Sequence, residues 1–307
     1  FMAPEIFEGL KYTKAGDVYA FGILLYEITT FDLPYKEYNA YNLSYFVVNG
    51  VRPKFNVDIP KCYKFLIEKC WHKEPKKRPT FSEIVNYLKN DEEFITDDVD
   101  EDQFLEYVKF VDDNVLDDSF KEVTLDFEEL KRIQENDPLL NVPYIDINLY
   151  EKQQLIKTID NFDICVVRNI ETNAHYEAKI STIQLTKLSR SEIIHLSREV
   201  NILSKMIHPV LLKFIGYSPI DFNLHPFPVL INEMPPRKSL EYHLNLKRKG
   251  KLEEEKDDDE NEEEETMNLI FIYGIANGME FLHSHGILHR NLCPENIFLT
   301  QDLCPKI

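Results

Sequence analysis

The sequence predicts an α+β protein in which a helical first zone and a sheet-bearing third zone flank an acidic connector. Three observations carry this. Residues 1–90 place apolar side chains at helical spacing. Residues 164–170 and 176–181 are rich in β-branched residues and alternate in polarity, as half-buried strands do. Between them, 91–146 holds 20 acidic residues against 4 basic ones, too charged to build a core of its own.

The elements follow in order. The stretch 17-DVYAFGILLYEITTF-31 has a helical apolar pattern, and 60-PKCYKFLIEKCW-71 repeats it. A third helix opens in 79-PTFSEIVNYLKN-90, where Thr80 as N-cap and Glu83 three residues on form a capping box. In the connector the amphipathic patch 102-DQFLEYVKFVDD-113 predicts one short helix within a linker. The third zone starts near Tyr144, and its first two strands turn near Glu171-Thr172-Asn173. A helix over 189–206 and strands near 211–217 and 228–233 come next. The run 253-EEEKDDDENEEEE-265 contains 11 acidic residues and a single lysine, which predicts a disordered insert near 250–266. The most apolar long stretch, 267–287, includes Asn268, Asn277, Glu280 and two histidines. It reads as a buried helix over 267–284, not a membrane span.

Composition narrows the function classes. With 307 residues the chain can form two modest domains or one large one. The net charge of −19 is concentrated in the connector and the insert, which would repel phosphate, so nucleic acid is not an expected partner. The insert is a solvated flexible segment or a docking site for basic partners. Cys62, Cys70, Cys165, Cys293 and Cys304 have no metal-ligand spacing, which favours a reduced, cytoplasmic compartment. No signal peptide is present, and a chain opening on Phe1 is expected to be a fragment.

The motif 283-HSHGILHRNLCPENIFL-299 resembles the catalytic loop of the protein kinase family, which usually reads H-R-D-L-K-P-E-N. Upstream, 176-YEAK-179 is similar to the V-A-I-K strand, making Lys179 the implied ATP-phosphate lysine and Glu199 its implied helix partner. The stretch 230-LINEMPPRKSL-240 resembles the hinge that holds adenine, with Glu233 and Pro235 in it. The first zone resembles the other end of a kinase domain. Its 2-MAPEIF-7 is similar to the A-P-E motif, Asp17 to the aspartate of D-x-W/Y-S-F-G, and 70-CWHKEPKKRPTF-81 to a signature of the tyrosine-kinase-like group. The resemblance implies a structural Glu5–Arg78 pair, a carboxylate on a guanidinium fork. The fold it implies is protein-kinase-like and split. Residues 1–90 are the C-lobe end of one kinase domain, 91–146 the acidic linker, and 147–307 the N-lobe and catalytic loop of a second, with a five-stranded sheet and one main helix. The chain then reads as a tandem kinase cut at both ends.

Residue by residue, the chemistry implied by the resemblance is incomplete. Phosphoryl transfer needs positioned phosphates, metal ions and a carboxylate to receive the hydroxyl proton. The family's carboxylate position is Asn291 here, and an amide cannot take that proton. The next phosphate-facing position, a lysine in the family, is Cys293, whereas His289 and Arg290 are kept and Asn296 stands at the second metal-ligand position. Counting back 15 from Lys179 puts Ile164 at the valine of the phosphate loop and Lys157, Ile159 and Phe162 at its three glycines. No glycine occurs between Gly50 and Gly216. In the hinge, Asn232 falls at the gatekeeper and Pro235, which has no N–H, at the adenine-donor position. ATP and Mg are thus the family's expected cofactors, with weak or absent binding expected here. Lys179 with Glu199 is a relic nucleotide site or a plain structural ion pair.

Two functions stay open at this stage. One is a pseudokinase module that regulates or scaffolds protein partners. The other is an active tandem protein kinase whose activity resides in the first domain. Protein substrates or regulated kinases are the expected partners, with neither nucleic acid nor membrane. The two half-domains can also dock on each other, because a linker at ~3.3 Å per residue imposes no limit of reach and each half alone would expose a large apolar face.

Overall fold

The computed structural model describes residues 1–115, 143–236, 238–250 and 258–307. The chain divides into two compact units, one of Phe1–Asn114 with Pro236–Ile307 and one of Val115–Pro235.

The first unit is mainly helical. Its N-terminal part carries α1 (Pro4–Phe7), α2 (Lys14–Thr30), α3 (Ala40–Val48), α4 (Lys61–Cys70), α5 (Phe81–Asn90) and α6 (Glu101–Asn114). Helix α2 is apolar on nearly every side and is buried along almost its whole length, as a helix surrounded by others must be. Helix α5 opens on the expected capping box: Thr80 Oγ1 accepts from the Glu83 N–H, and the Glu83 carboxylate accepts from the Thr80 N–H. Phe81 of α5 packs edge-on against Phe21 of α2 at 5.3 Å.

Two sequence expectations are corrected in this unit. The patch at 102–113 is indeed a helix, but α6 is no part of a free linker. Phe104, Tyr107, Val108 and Val111 are buried, and Phe104 meets Tyr273 edge-on at 5.5 Å. The acidic run is not disordered throughout. The long helix begins at Asp258 and runs to Ser284. Acidic residues at a helix N-terminus complement its dipole, and glutamate is a good helix former, so the charge that argues for solvation also permits helix. Thr266 is fully buried, and its Oγ1 accepts from the Asp100 N–H at 2.8 Å. Residues 251–257 and the connector residues 116–142 lie outside the described residues.

The second unit holds a five-stranded sheet. Strands β1 (Tyr150–Ile159), β2 (Phe162–Asn169), β3 (His175–Ser181), β4 (Phe214–Ser218) and β5 (Val229–Glu233) lie in the order β1-β2-β3-β5-β4, all neighbours antiparallel. One face is covered by α7 (Arg190–Leu203), where Leu196 and Val200 pack with Phe214, Tyr217 and Leu230. On the opposite face Cys165, Val167, Ala178, Ile180, Val229 and Ile231 form a second cluster with Ile147. The segment entering the sheet lies along the β4 edge. The Tyr217 N–H donates to Pro143 O at 2.9 Å and the Ile145 N–H to Tyr217 O at 3.0 Å. A glycine allows that approach, because a Cβ at Gly216 would stand 2.7 Å from Pro143 O.

The rest of the first unit comprises a small sheet of β6 (Lys238–Ser239), β7 (Phe298–Leu299) and β8 (Pro305–Lys306), with α8 (Leu240–Gly250) and α9 (Asp258–Ser284).

Candidate functional site

The loop between α9 and β7 carries most of the residues singled out in the sequence. It is built on Asp17, in the first turn of α2, whose carboxylate is completely buried. The His289 N–H donates to Asp17 Oδ2 at 3.0 Å and the Arg290 N–H to Oδ1 at 2.8 Å. Two side chains complete the shell: Tyr12 donates its hydroxyl to Oδ1 at 2.8 Å, and His283 Nε2 lies 2.9 Å from Oδ2. Burial alone would push the Asp17 carboxyl up. The bonds from His283, Tyr12 and the Arg290 and His289 amides outweigh it and hold the carboxyl below its ordinary value. The negative charge also sits at the N-terminal end of α2, where the helix dipole favours it.

This anchoring bends the backbone. Arg290 takes φ +67°, a left-handed conformation that costs a non-glycine residue energy and persists only where surrounding bonds impose it. The His289 imidazole is half-buried, and the loss of solvent lowers its pKa, so its neutral Nδ1 can accept from the Asn291 N–H at 3.3 Å. Beyond the bend, Asn296 Nδ2 donates to Asn291 O at 2.9 Å and Cys293 Sγ lies 3.6 Å from the same oxygen. Burial, together with a hydrogen bond and repulsion from Glu295, pushes the Cys293 thiol up to about 11, so it is neutral at physiological pH. The far end of the loop is pinned where the Leu240 N–H donates to Ile297 O at 2.7 Å.

Glu5 and Arg78 meet in a buried fork, Nη1 to Oε1 at 2.6 Å and Nη2 to Oε2 at 2.8 Å. The remaining guanidinium hydrogens serve the carbonyls of His72, Ala15 and Lys73, so the pair is fully hydrogen-bonded and its burial is tolerated.

In the second unit, Lys179 of β3 and Glu199 of α7 form an ion pair, Nζ to Oε1 at 2.6 Å. The Lys179 ammonium also lies 4.4 Å from the ring centroid of Phe162, at the start of β2. Glu233 ends β5 facing a different neighbour. Its carboxylate accepts from the Lys213 N–H at 3.0 Å, and its own N–H donates to Lys213 O at 2.7 Å. Pro235 follows in irregular backbone and has no N–H to offer.

The structure therefore gathers Asp17, His289, Arg290, Asn291, Cys293 and Asn296 around one loop, Glu5 with Arg78, and Lys179 with Glu199. Sequence reasoning missed three participants, and it placed Phe162 at a phosphate-loop glycine without foreseeing its contact with Lys179. Tyr12 and His283 complete the Asp17 shell. Arg248 reaches from α8 to Glu27 of α2, Nη2 to Oε2 at 2.7 Å, and its Nε donates to Phe31 O at 2.8 Å. Burial pushes the Glu27 carboxyl up to about 7 against the opposing pull of Arg248. The only sequence signal for any of these was His283, two residues before a second histidine at the end of an apolar helix.

Chemically, the loop offers amide donors, a neutral thiol and a neutral imidazole. The oxygen of Asn296 can act as a metal ligand, whereas Asn291 and Cys293 supply no carboxylate at their own positions, and magnesium is ordinarily held through carboxylates. No helix among the described residues is long and apolar enough to cross a membrane.

Comparison with known proteins places these features. The family described as protein tyrosine and serine/threonine kinase matches residues 1–88 and 164–307. A probable LIM domain-containing serine/threonine-protein kinase of Dictyostelium discoideum is 44% identical over 96 residues, 31% of this chain and 15% of that protein. Mitogen-activated protein kinase kinase kinase 7 of Homo sapiens is 39% identical over 89 residues, 28% of this chain and 15% of that protein. The alignments thus span a small part of these curated relatives' own length.

Proposed function

We propose, from the premise that this chain belongs to the protein kinase family and its tyrosine-kinase-like group, that it acts as a pseudokinase module, regulating or scaffolding protein partners without phosphoryl transfer. The observation that carries the reading is the loop held by Asp17, which presents Asn291 and a neutral Cys293 where the family has a carboxylate and a lysine. Without the carboxylate no group at that position can receive the hydroxyl proton, and without the lysine no charge offsets the phosphate there. The residues present do not fit a magnesium-bound nucleotide. Pro235 has no donor to offer adenine, and the neutral Cys293 brings no cation to the loop. Nucleotide binding is accordingly weak or absent, and the compartment is the cytoplasm.

The half-domains complement each other in this reading, with the A-P-E segment and later helices supplied from the front of the chain and the catalytic loop from its end. Both belong to one compact unit, and Asp17 receives the loop amides across that inverted order. The experiment is incorporation of labelled phosphate from Mg·ATP into a generic protein substrate and into the chain itself, for wild type and Asn291→Asp. Neither should exceed background, because restoring the carboxylate leaves Cys293 and the missing glycines in place. Robust transfer by wild type would overturn the reading. Transfer by Asn291→Asp alone would reduce the defect to one residue.

A further inference from the structure

The strand face that carries Lys179 is partly covered by the chain's own side chains. Strands β1 and β2 stay paired to the very tip of their hairpin, with Ile159 opposite Phe162 across the two residues Asp160 and Asn161. Asp160 supplies the left-handed turn conformation at φ +49°, which aspartate tolerates better than most residues. The tip is tied down. The Thr182 N–H donates to Asn161 O at 2.8 Å, and Thr158 donates its hydroxyl to Asp163 at 2.7 Å. Phe162 itself is paired to Ser181 of β3. By the alternation of strand side chains it therefore faces the same side as Lys179 and Glu177.

The consequence for Lys179 is electrostatic as well as steric. A phosphate oxygen bonds an ammonium at roughly 2.7–2.9 Å. One side of Nζ is taken by Glu199 at 2.6 Å, and another by the Phe162 ring with its centroid at 4.4 Å. The ring presents its negative face to the ammonium and would present it equally to an arriving phosphate. Glu177, two residues along the strand, adds a half-buried carboxylate to the same face. The ladder that pairs Phe162 with both neighbouring strands stops its ring from swinging clear by a backbone movement.

We infer that Phe162 is the residue that bars a nucleotide polyphosphate from Lys179, so that this lysine has been converted from a phosphate ligand into an internal strut. The inference rests on the pseudokinase reading and names the residue behind its weak nucleotide binding; its test reads binding, whereas the test of that reading reads transfer. The test is calorimetric titration of the full chain with Mg·ATP and with metal-free ATP. Wild type should show no saturable binding up to millimolar nucleotide. Phe162→Ala should bind at least about tenfold more tightly, the scale of a lost cation–π contact and the access it frees. Phe162→Leu, which keeps bulk but not the negative face, should fall between, and adding Lys179→Met to Phe162→Ala should erase the gain. A folded Phe162→Ala with wild-type affinity, or a gain that survives Lys179→Met, would overturn the inference. Should Phe162→Ala fail to fold, unchanged affinity in Phe162→Leu would overturn it equally. Tight nucleotide binding by wild type would also overturn it while leaving the absence of transfer untouched. Phosphate transfer by wild type would instead strike the proposed function.

Discussion

Asp17 shows how one carboxylate can set the geometry of a loop far away in sequence. It is fully buried and receives four donors, so its charge is compensated by bonds and not by solvent. Replacing it by asparagine keeps the size but turns an amide hydrogen toward those donors. We expect Asp17→Asn to lower the unfolding free energy by about 2–4 kcal/mol near neutral pH. The sign of its pH dependence follows from the lowered carboxyl. Stability from Asp17 is present above the free value of about 3.9 and is lost as the pH falls through the folded value beneath it. The gap between wild type and Asp17→Asn in urea titrations should therefore hold steady from neutral pH down to that range and then close. At this scale the pairs Glu5–Arg78 and Lys179–Glu199 were legible, because each sits in a motif of fixed spacing. Tyr12, Phe162 and Arg248 were not. Their partners are chosen by the fold, and nothing in an isolated tyrosine, phenylalanine or arginine says which carboxylate or ammonium it will meet.

The helices of the first unit were readable wherever a cap or an apolar face announced them. The capping box at Thr80 and Glu83 fixed the start of α5, and the largely apolar stretch before Thr30 became the buried α2. Helix α3 escaped notice because its tyrosines and asparagines give little apolar periodicity, and the acidic start of α9 because charge was taken as a sign of disorder. Strands β2 and β3 of the second unit followed from alternation, but β1, Tyr150–Ile159, and the closure of the β4 edge by residues 143–145 did not. Edge pairing of that kind depends on backbone approach, and its trace in sequence is a single glycine. Gly216→Ala should place a Cβ against Pro143 O and cost about 1–3 kcal/mol by overpacking. Hydrogen exchange of the Ile145 and Tyr217 amides should accelerate together in that variant, since each bonds across the same edge. Unchanged protection at both would show that the edge segment does not depend on the glycine.

For the whole molecule, the compact first unit draws on both ends of the chain, Phe1–Asn114 and Pro236–Ile307. The proposed inert loop depends on that arrangement, because the residues that shape it, Asp17 and His289 with Arg290, come from opposite ends of the sequence. His283 adds a side-chain contact across the same interval, 2.9 Å from Asp17, while its ring packs edge-on against Phe81 at 5.0 Å. A double-mutant cycle on Asp17→Asn and His283→Phe isolates the bond, since phenylalanine retains a ring to pack on Phe81 and removes the nitrogen. In denaturant unfolding of the full chain we predict a coupling energy of about 0.5–3 kcal/mol, the range for residues in direct contact. Strict additivity, within about 0.5 kcal/mol, would mean that the two ends of the chain do not build one kinase-like body, and would contradict the account.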